Sequence, residues 1–241
     1  MRPASDLLAA VIPARETWRR PERTCEDCGG TGWLYDTARG VLTGRCRCSQ
    51  GPLEKRQESA GIPVLERRAR FDEVRPEVRE RADKLQRYFD AMDARRGPGQ
   101  SLLFVGPVGT GKTWLAACAA NWALIRGWSV AWRKATQWLA DLRSSYDADS
   151  RTHECDVNRP LRRAKLLVLN DLGAEKVSPW VATQVEDLLD DRISAELPTI
   201  VTTNLSHEEL REAYGDRTAS RLGPRFYRHV QFDGADIRGS R

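Results

Sequence analysis

The clearest chemistry in the chain is carried by GPVGTGKT, residues 106–113. The stretch fits G-x-x-x-x-G-K-[ST] without a mismatch, and that pattern builds a phosphate cradle. Gly106, Gly109 and Gly111 let the backbone turn tightly and aim its N–H groups inward. Pro107, Val108 and Thr110 complete the loop. Lys112 would meet the β- and γ-phosphates of a nucleoside triphosphate, and Thr113 would place its hydroxyl on Mg2+. Further on, KLLVLND (165–171) runs an apolar stretch into Asn170 and Asp171. A carboxylate pair is expected there, to hold magnesium and to aim a water. Here one of the pair is an amide.

Other clusters fit around this one. TIVTTNLS (199–206) ends a second apolar stretch in Asn204. Its amide could orient water beside the γ-phosphate, or it could simply cap a turn. Ser206 and Glu209 form a capping box that starts the next helix. GDRTASRLGPRF (215–226) spaces Arg217 and Arg221 one helical turn apart. Such a pair either reaches a phosphate in a neighbouring subunit or is a solvated basic face. Near the end, GADIRGSR offers Arg238 as another phosphate contact.

A separate constellation lies near the start. Cys25 and Cys28 form C-x-x-C, and Cys46 and Cys48 form C-x-C. Two close thiolate pairs across a loop suit a tetrahedral Zn2+ site, which is structural because four cysteines leave no open position. Cys118 is expected in the core, and no role is assigned to Cys155 or to the scattered histidines.

Positioning these groups takes alternating strands and helices. SLLFV (101–105), SVAWR (129–133), KLLVL (165–169) and TIVTT (199–203) read as strands. Segments 112–126, 134–146 and 179–195 read as the helices between them, implying βαβ units and a parallel sheet. Ahead of them, Val78, Ala82, Leu85 and Phe89 recur at helical spacing. The expected organisation is a zinc-binding and partner-docking domain over 1–60, a linker and helix over 61–100, and the nucleotide-binding domain over 101–241.

Composition narrows the class. The chain has 241 residues, 40% hydrophobic and 30% charged, with net charge +5. No apolar run approaches the ~20 residues that span a bilayer, so a cytoplasmic protein without a membrane partner is expected. Six cysteines in such a chain argue for metal or isolated thiols over disulfides. The basic balance permits nucleic acid. Arg133 and Lys134, at a strand end beside Trp132 and Trp138, are the candidates for single-stranded DNA contact. Trp138, Leu139 and Leu142 also fit a packed helix face.

In order and spacing, GPVGTGKT, LLVLNDLG, TIVTTNLS, GDRTASRL and DIRGSR resemble the DnaC/IstB-type AAA+ ATPases, from about Arg70 to the C-terminus. CEDCGGTGW resembles the N-terminal zinc domain of bacterial and phage DnaC-like helicase loaders. The resemblance implies an α/β P-loop AAA+ parallel sheet flanked by helices, preceded by a small four-cysteine zinc-ribbon-like domain. It implies ATP between subunits of a homo-oligomer, with Asn170 and Asp171 as the acidic pair and Asn204 as the sensor-one amide. Arg221 becomes the finger reaching the adjacent site, and Arg238 the sensor-two arginine. Asn170 departs from the family's Asp.

The expected function is ATP-dependent loading of a replicative DNA helicase onto single-stranded DNA, with ATP, Mg2+ and Zn2+ bound and hydrolysis slowed by Asn170. Two other readings stay open: an IstB-like transposition helper ATPase, and a non-hydrolysing ATP-gated DNA-binding adaptor.

Overall fold

The computed structural model describes residues 33–36, 41–45, 52–95, 100–147, 150–151 and 153–237. The chain divides into two compact units, Met1–Gln50 and Gly51–Arg241. In the first, strands β1 (Trp33–Asp36) and β2 (Val41–Arg45) form an antiparallel hairpin. Trp33 pairs with Arg45, and the register shifts between Leu34 and Tyr35. Cys25, Cys28, Cys46 and Cys48 lie outside the described residues.

The second unit is a parallel sheet of β3 (Ser101–Val105), β4 (Val130–Lys134), β5 (Leu166–Leu172), β6 (Thr199–Thr203) and β7 (Tyr227–Gln231). The strand order is β4-β5-β6-β3-β7. Side chains alternate along each strand, so one sequence feeds two cores. Leu102, Phe104, Leu166 and Val168 face one side, with α1 (Leu53–Ala60), α2 (Pro76–Arg95) and α3 (Lys112–Ile125). Leu103, Leu167, Leu169 and Val201 face the other. That side holds α4 (Ala135–Ser144), α5 (Glu154–Arg163), α6 (Pro179–Ser194) and α7 (His207–Arg221).

Val78, Ala82, Leu85 and Phe89 are buried, as their spacing requires. The expected boundary near residue 60 is not where the chain divides. Ala60, Ile62, Ala69 and Phe71 belong to the same core as α3. Residues 53–75 therefore fold with the second unit, Gly51–Arg241. Strand β7 and helix α5 lie outside the elements read from sequence. YRHVQ carries charges on an edge strand, and α5 contains Pro160. Among the described residues, no helix is long and apolar enough to cross a membrane.

Candidate functional site

The loop 106–111 joins the end of β3 to the start of α3. Gly106 has φ 149°, and a Cβ there would overlap the Phe232 carbonyl. Gly109 has φ 81°, and a Cβ there would overlap the Asp236 carboxylate. Only glycine fits both the conformation and the space at these two points. Thr110 Oγ1 donates to Pro107 O at 2.9 Å, tightening the turn. Helix α3 then begins at Lys112, which puts the positive end of its dipole on the loop.

Lys112 is buried, and its Nζ donates to the carbonyls of Gly106 and Pro107 at 2.5 and 2.6 Å. The loop thus orders its own ammonium. Thr113 Oγ1 donates to Asn170 Oδ1 at 3.1 Å, joining the helix start to the end of β5. The same amide oxygen accepts from Thr202 Oγ1 at 2.9 Å. Thr202 Oγ1 in turn accepts from the Asp171 N–H at 2.9 Å.

Strand β5 slips register against β6 between Leu169 and Leu172. Within that bulge Asp171 takes φ 57°, in the left-handed region that non-glycine residues rarely adopt. The bulge turns the Asp171 carboxylate toward the cleft, where Lys134 Nζ approaches to 3.7 Å.

These groups line one cleft of about 910 Å3. Its phosphate end holds Gly109, Gly111, Lys112 and Thr113. Asn170, Asp171 and Asn204 stand at the strand ends. Pro63, Glu66, Arg68, Glu73 and Arg75 make a further wall. The residues fit a nucleoside triphosphate with Mg2+. The cradle excludes side chains, one ammonium is ordered within it, and Thr113 and Asn170 set two oxygens together. Magnesium takes oxygen ligands and draws much of its shell from phosphate and water.

Other expected residues lie elsewhere. Arg221 pairs side-on with Asp190 of α6, Nη2 to Oδ2 at 3.3 Å and Nε to Oδ1. That contact keeps its guanidinium well protonated, chiefly through the hydrogen bond. Arg221 is not among the residues lining its own chain's cleft. Arg217 Nη1 reaches Glu186 at 3.9 Å. Both arginines follow Gly215, whose non-helical backbone (φ 85°) kinks α7.

Arg133 and Lys134 do not form a surface of their own. Arg133 folds onto the Trp132 carbonyl at 2.7 Å and lies against Gly61, while Lys134 lines the cleft. Trp138 and Leu142 are core. Arg238 lies outside the described residues. The neighbouring Ile237 lines the cleft and donates its N–H to Gly109 O at 3.0 Å.

Sequence reasoning missed Thr202 and the whole wall. Thr202 did leave a signal, since a threonine in a fully buried strand needs a polar partner. The wall left none.

Comparison with known proteins gives the same picture. Residues 96–230 match the family model described as IstB-like ATP binding protein. The replicative helicase loader DnaC of Escherichia coli (strain K12) is 26% identical over 170 residues, which is 70% of this chain and 69% of that one. The replicative helicase loader DnaI of Bacillus subtilis (strain 168) is 30% identical over 119 residues, 49% of this chain and 37% of that one. A crystal structure of DnaI superposes with TM-score 0.62 at 23% identity, covering 76% of this chain and 100% of the other. The parallel sheet flanked by helices is thus the AAA+ P-loop fold, and the chain belongs to the IstB-like ATP binding family.

Proposed function

We propose that this chain is an ATPase that loads a replicative DNA helicase onto single-stranded DNA, with ATP occupancy as the switch and slow hydrolysis as the reset. The observation that carries the reading is the cleft: an ordered lysine and a threonine on a glycine cradle, facing Asn170 and Asp171 across one hydrogen bond. Support for the partner comes from relatives named replicative helicase loader.

In the bound state Lys112 neutralises phosphate charge, and Thr113 and Asn170 face the metal. Mg2+ supplies further charge neutralisation on the phosphates. The Asp171 carboxylate accepts the proton of the attacking water, and Asn204 orients that water. Asn170 can accept hydrogen bonds but brings no charge. Its oxygen is already shared between two threonine hydroxyls. ATP binding therefore survives and turnover is slowed. Arg221, away from its own cleft, acts in the site of an adjacent copy, which makes the active species a homo-oligomer formed on helicase or DNA.

The unit before residue 51 docks the helicase and holds Zn2+ through Cys25, Cys28, Cys46 and Cys48. Their paired spacing supports the zinc reading, and the described β1–β2 hairpin falls between the two pairs in sequence. Single-stranded DNA is met by basic residues. Besides Arg133 and Lys134, the open groove that holds Arg159, Arg162 and Arg163 beside Tyr146 and Glu154 offers such residues. The protein works in the cytoplasm.

The test is capture of the cell's replicative helicase by the purified chain, with and without ATP, beside steady-state hydrolysis for wild type and Asn170→Asp. Nucleotide-dependent capture and a faster Asn170→Asp are expected. No capture in either state would sink the loader reading in favour of a transposition helper. No turnover in either protein would favour a non-hydrolysing adaptor. Elemental analysis of the same preparation reads the zinc.

A further inference from the structure

We infer that Asn121, together with Gln57, is a positioning residue for the base end of the nucleotide cleft. The inference rests on the reading of the cleft as an ATP site. Asn121 lies on α3, the helix whose first residues are Lys112 and Thr113, about 13 Å further along its axis. It is fully buried among alanines and touches neither cradle nor cleft.

Both N–H donors and the oxygen of its amide are engaged. Nδ2 donates to the carbonyls of Glu66 and Ala69 at 2.9 and 3.0 Å. Oδ1 accepts from Gln57 Nε2 at 2.7 Å. That same Gln57 nitrogen also donates to the Arg67 carbonyl at 2.7 Å. Two buried amides thus hold three carbonyls of one short turn, Glu66–Arg68 and the residue after it.

That turn is the wall of the cleft. Glu66 and Arg68 line it, as do Pro63 before and Glu73 and Arg75 after. The phosphates belong at Lys112, and hydrolysis belongs at Asp171 and Asn204. The wall shares the rest of the lining with apolar groups such as Val78, Trp114 and Trp132, and this remainder is left for the base and ribose. Burial of Ile62, Ala69 and Phe71 attaches the wall to the core, but apolar contact is non-directional. The amides fix its register, because hydrogen bonds are directional and a buried carbonyl left without a donor is unfavourable. Helix α3 therefore sets both ends of the cleft, the phosphate end by its first turn and the base end by Asn121.

A ligand that uses only the phosphate end should be blind to this clamp. The experiment compares ATP with inorganic tripolyphosphate, each with Mg2+, by calorimetric titration of the full chain and by competition in hydrolysis. For Asn121→Leu the ATP dissociation constant and KM should rise about tenfold, the loss of roughly one well-placed buried hydrogen bond. Tripolyphosphate affinity and kcat at saturating ATP should stay within about twofold, and preference for ATP over GTP should fall. Gln57→Met, which keeps the volume and removes the second amide, should move the same quantities in the same direction by less. It carries the test if Asn121→Leu does not fold.

Equal weakening of ATP and tripolyphosphate, or no change in either, would overturn the positioning role while leaving the ATP site intact. Wild type that binds neither ligand would overturn the ATP reading itself, and this inference with it.

Discussion

The two faces of the sheet bury polarity in opposite ways. On the face shared by α1, α2 and α3, the buried knot is neutral: the Gln57 and Asn121 amides, each paired at 3.0 Å or less. On the face of α4 to α7 the knot is a charge. Arg192 is fully buried, with Nε on Thr199 Oγ1, Nη1 on the Leu161 and Ala164 carbonyls, and Nη2 on the Pro198 carbonyl. Burial pushes its guanidinium down to about 10. The neutral knot shapes a wall that must admit a ligand. The charged knot ties α5, α6 and the start of β6 together, where nothing has to enter. Amides fix the register of a wall without placing a charge beneath the ligand. A desolvated cation suits a junction that must hold one geometry.

The largest effect expected from breaking this contrast is at Arg192. Arg192→Leu takes the guanidinium donors from the Leu161 and Ala164 carbonyls and leaves Pro198 O only the Leu167 N–H at 3.3 Å, which should destabilise the fold by about 3–5 kcal/mol. Urea unfolding reads it, and a loss under ~1 kcal/mol would mean the carbonyls find other partners. Arg192→Lys should rescue little, because a single ammonium cannot span donors that diverge to α5 and to Pro198.

Alkaline pH sharpens the comparison at intermediate size. Burial pushes Cys118, on the wall face, up to about 12 from its ordinary 9. The unfolded thiol ionises first, so this contribution is whole below pH 9 and is lost as pH rises toward 12. The slope is about 1.4 kcal/mol per pH unit. On the other face raised tyrosines and a lowered arginine oppose each other. Burial raises Tyr227 to about 12, which favours unfolding above pH 10, while the lowered Arg192 favours the folded state over a similar range. Raised Tyr214 adds to the loss above pH 10, and lowered Lys165 opposes it, so Cys118 should set most of the fall between pH 9 and 10, and Cys118→Ala should make that fall shallower. A slope unchanged in that variant would assign the alkaline loss to another group.

The smallest effect on stability is expected at Arg221. Its pairing with Asp190 is about one-third exposed, and Arg221→Ala should shift stability by less than about 1 kcal/mol. Its effect on hydrolysis should be far larger, as charge development on the γ-phosphate loses its cation. Mixing Arg221→Ala with Lys112→Ala protein in the presence of single-stranded DNA should restore part of the turnover. Absence of rescue at every ratio, with both variants folded, would remove the shared site.

The phosphate end of the cleft was legible in the sequence because its logic is local. Glycines, a lysine and a threonine act within one loop, and Asn170 and Asp171 sit where an apolar strand stops. The wall was not legible. Gln57, the Glu66–Ala69 carbonyls and Asn121 meet only through tertiary packing, and a lone asparagine in an alanine-rich helix has no periodicity to announce it. The same lack moved the domain boundary: residues up to 60 read as the zinc-binding and docking domain and 61–100 as linker and helix, yet Ala60, Ile62, Ala69 and Phe71 share the core of α3. Arg133 and Lys134 were singled out for charge beside tryptophan, and charge alone does not say which way a side chain turns. One took a backbone carbonyl and the other leaned toward Asp171.

Asp171 carries a last consequence. Its left-handed backbone is a conformation that glycine would adopt without strain and that an aspartate adopts at a penalty of about 1 kcal/mol. The residue that aims the carboxylate is thus one that the fold alone would readily exchange. Selection for heat resistance alone would drift toward glycine here and leave a sturdier chain that no longer turns over. On the proposed reading, an acid here trades some durability for a place in the reaction.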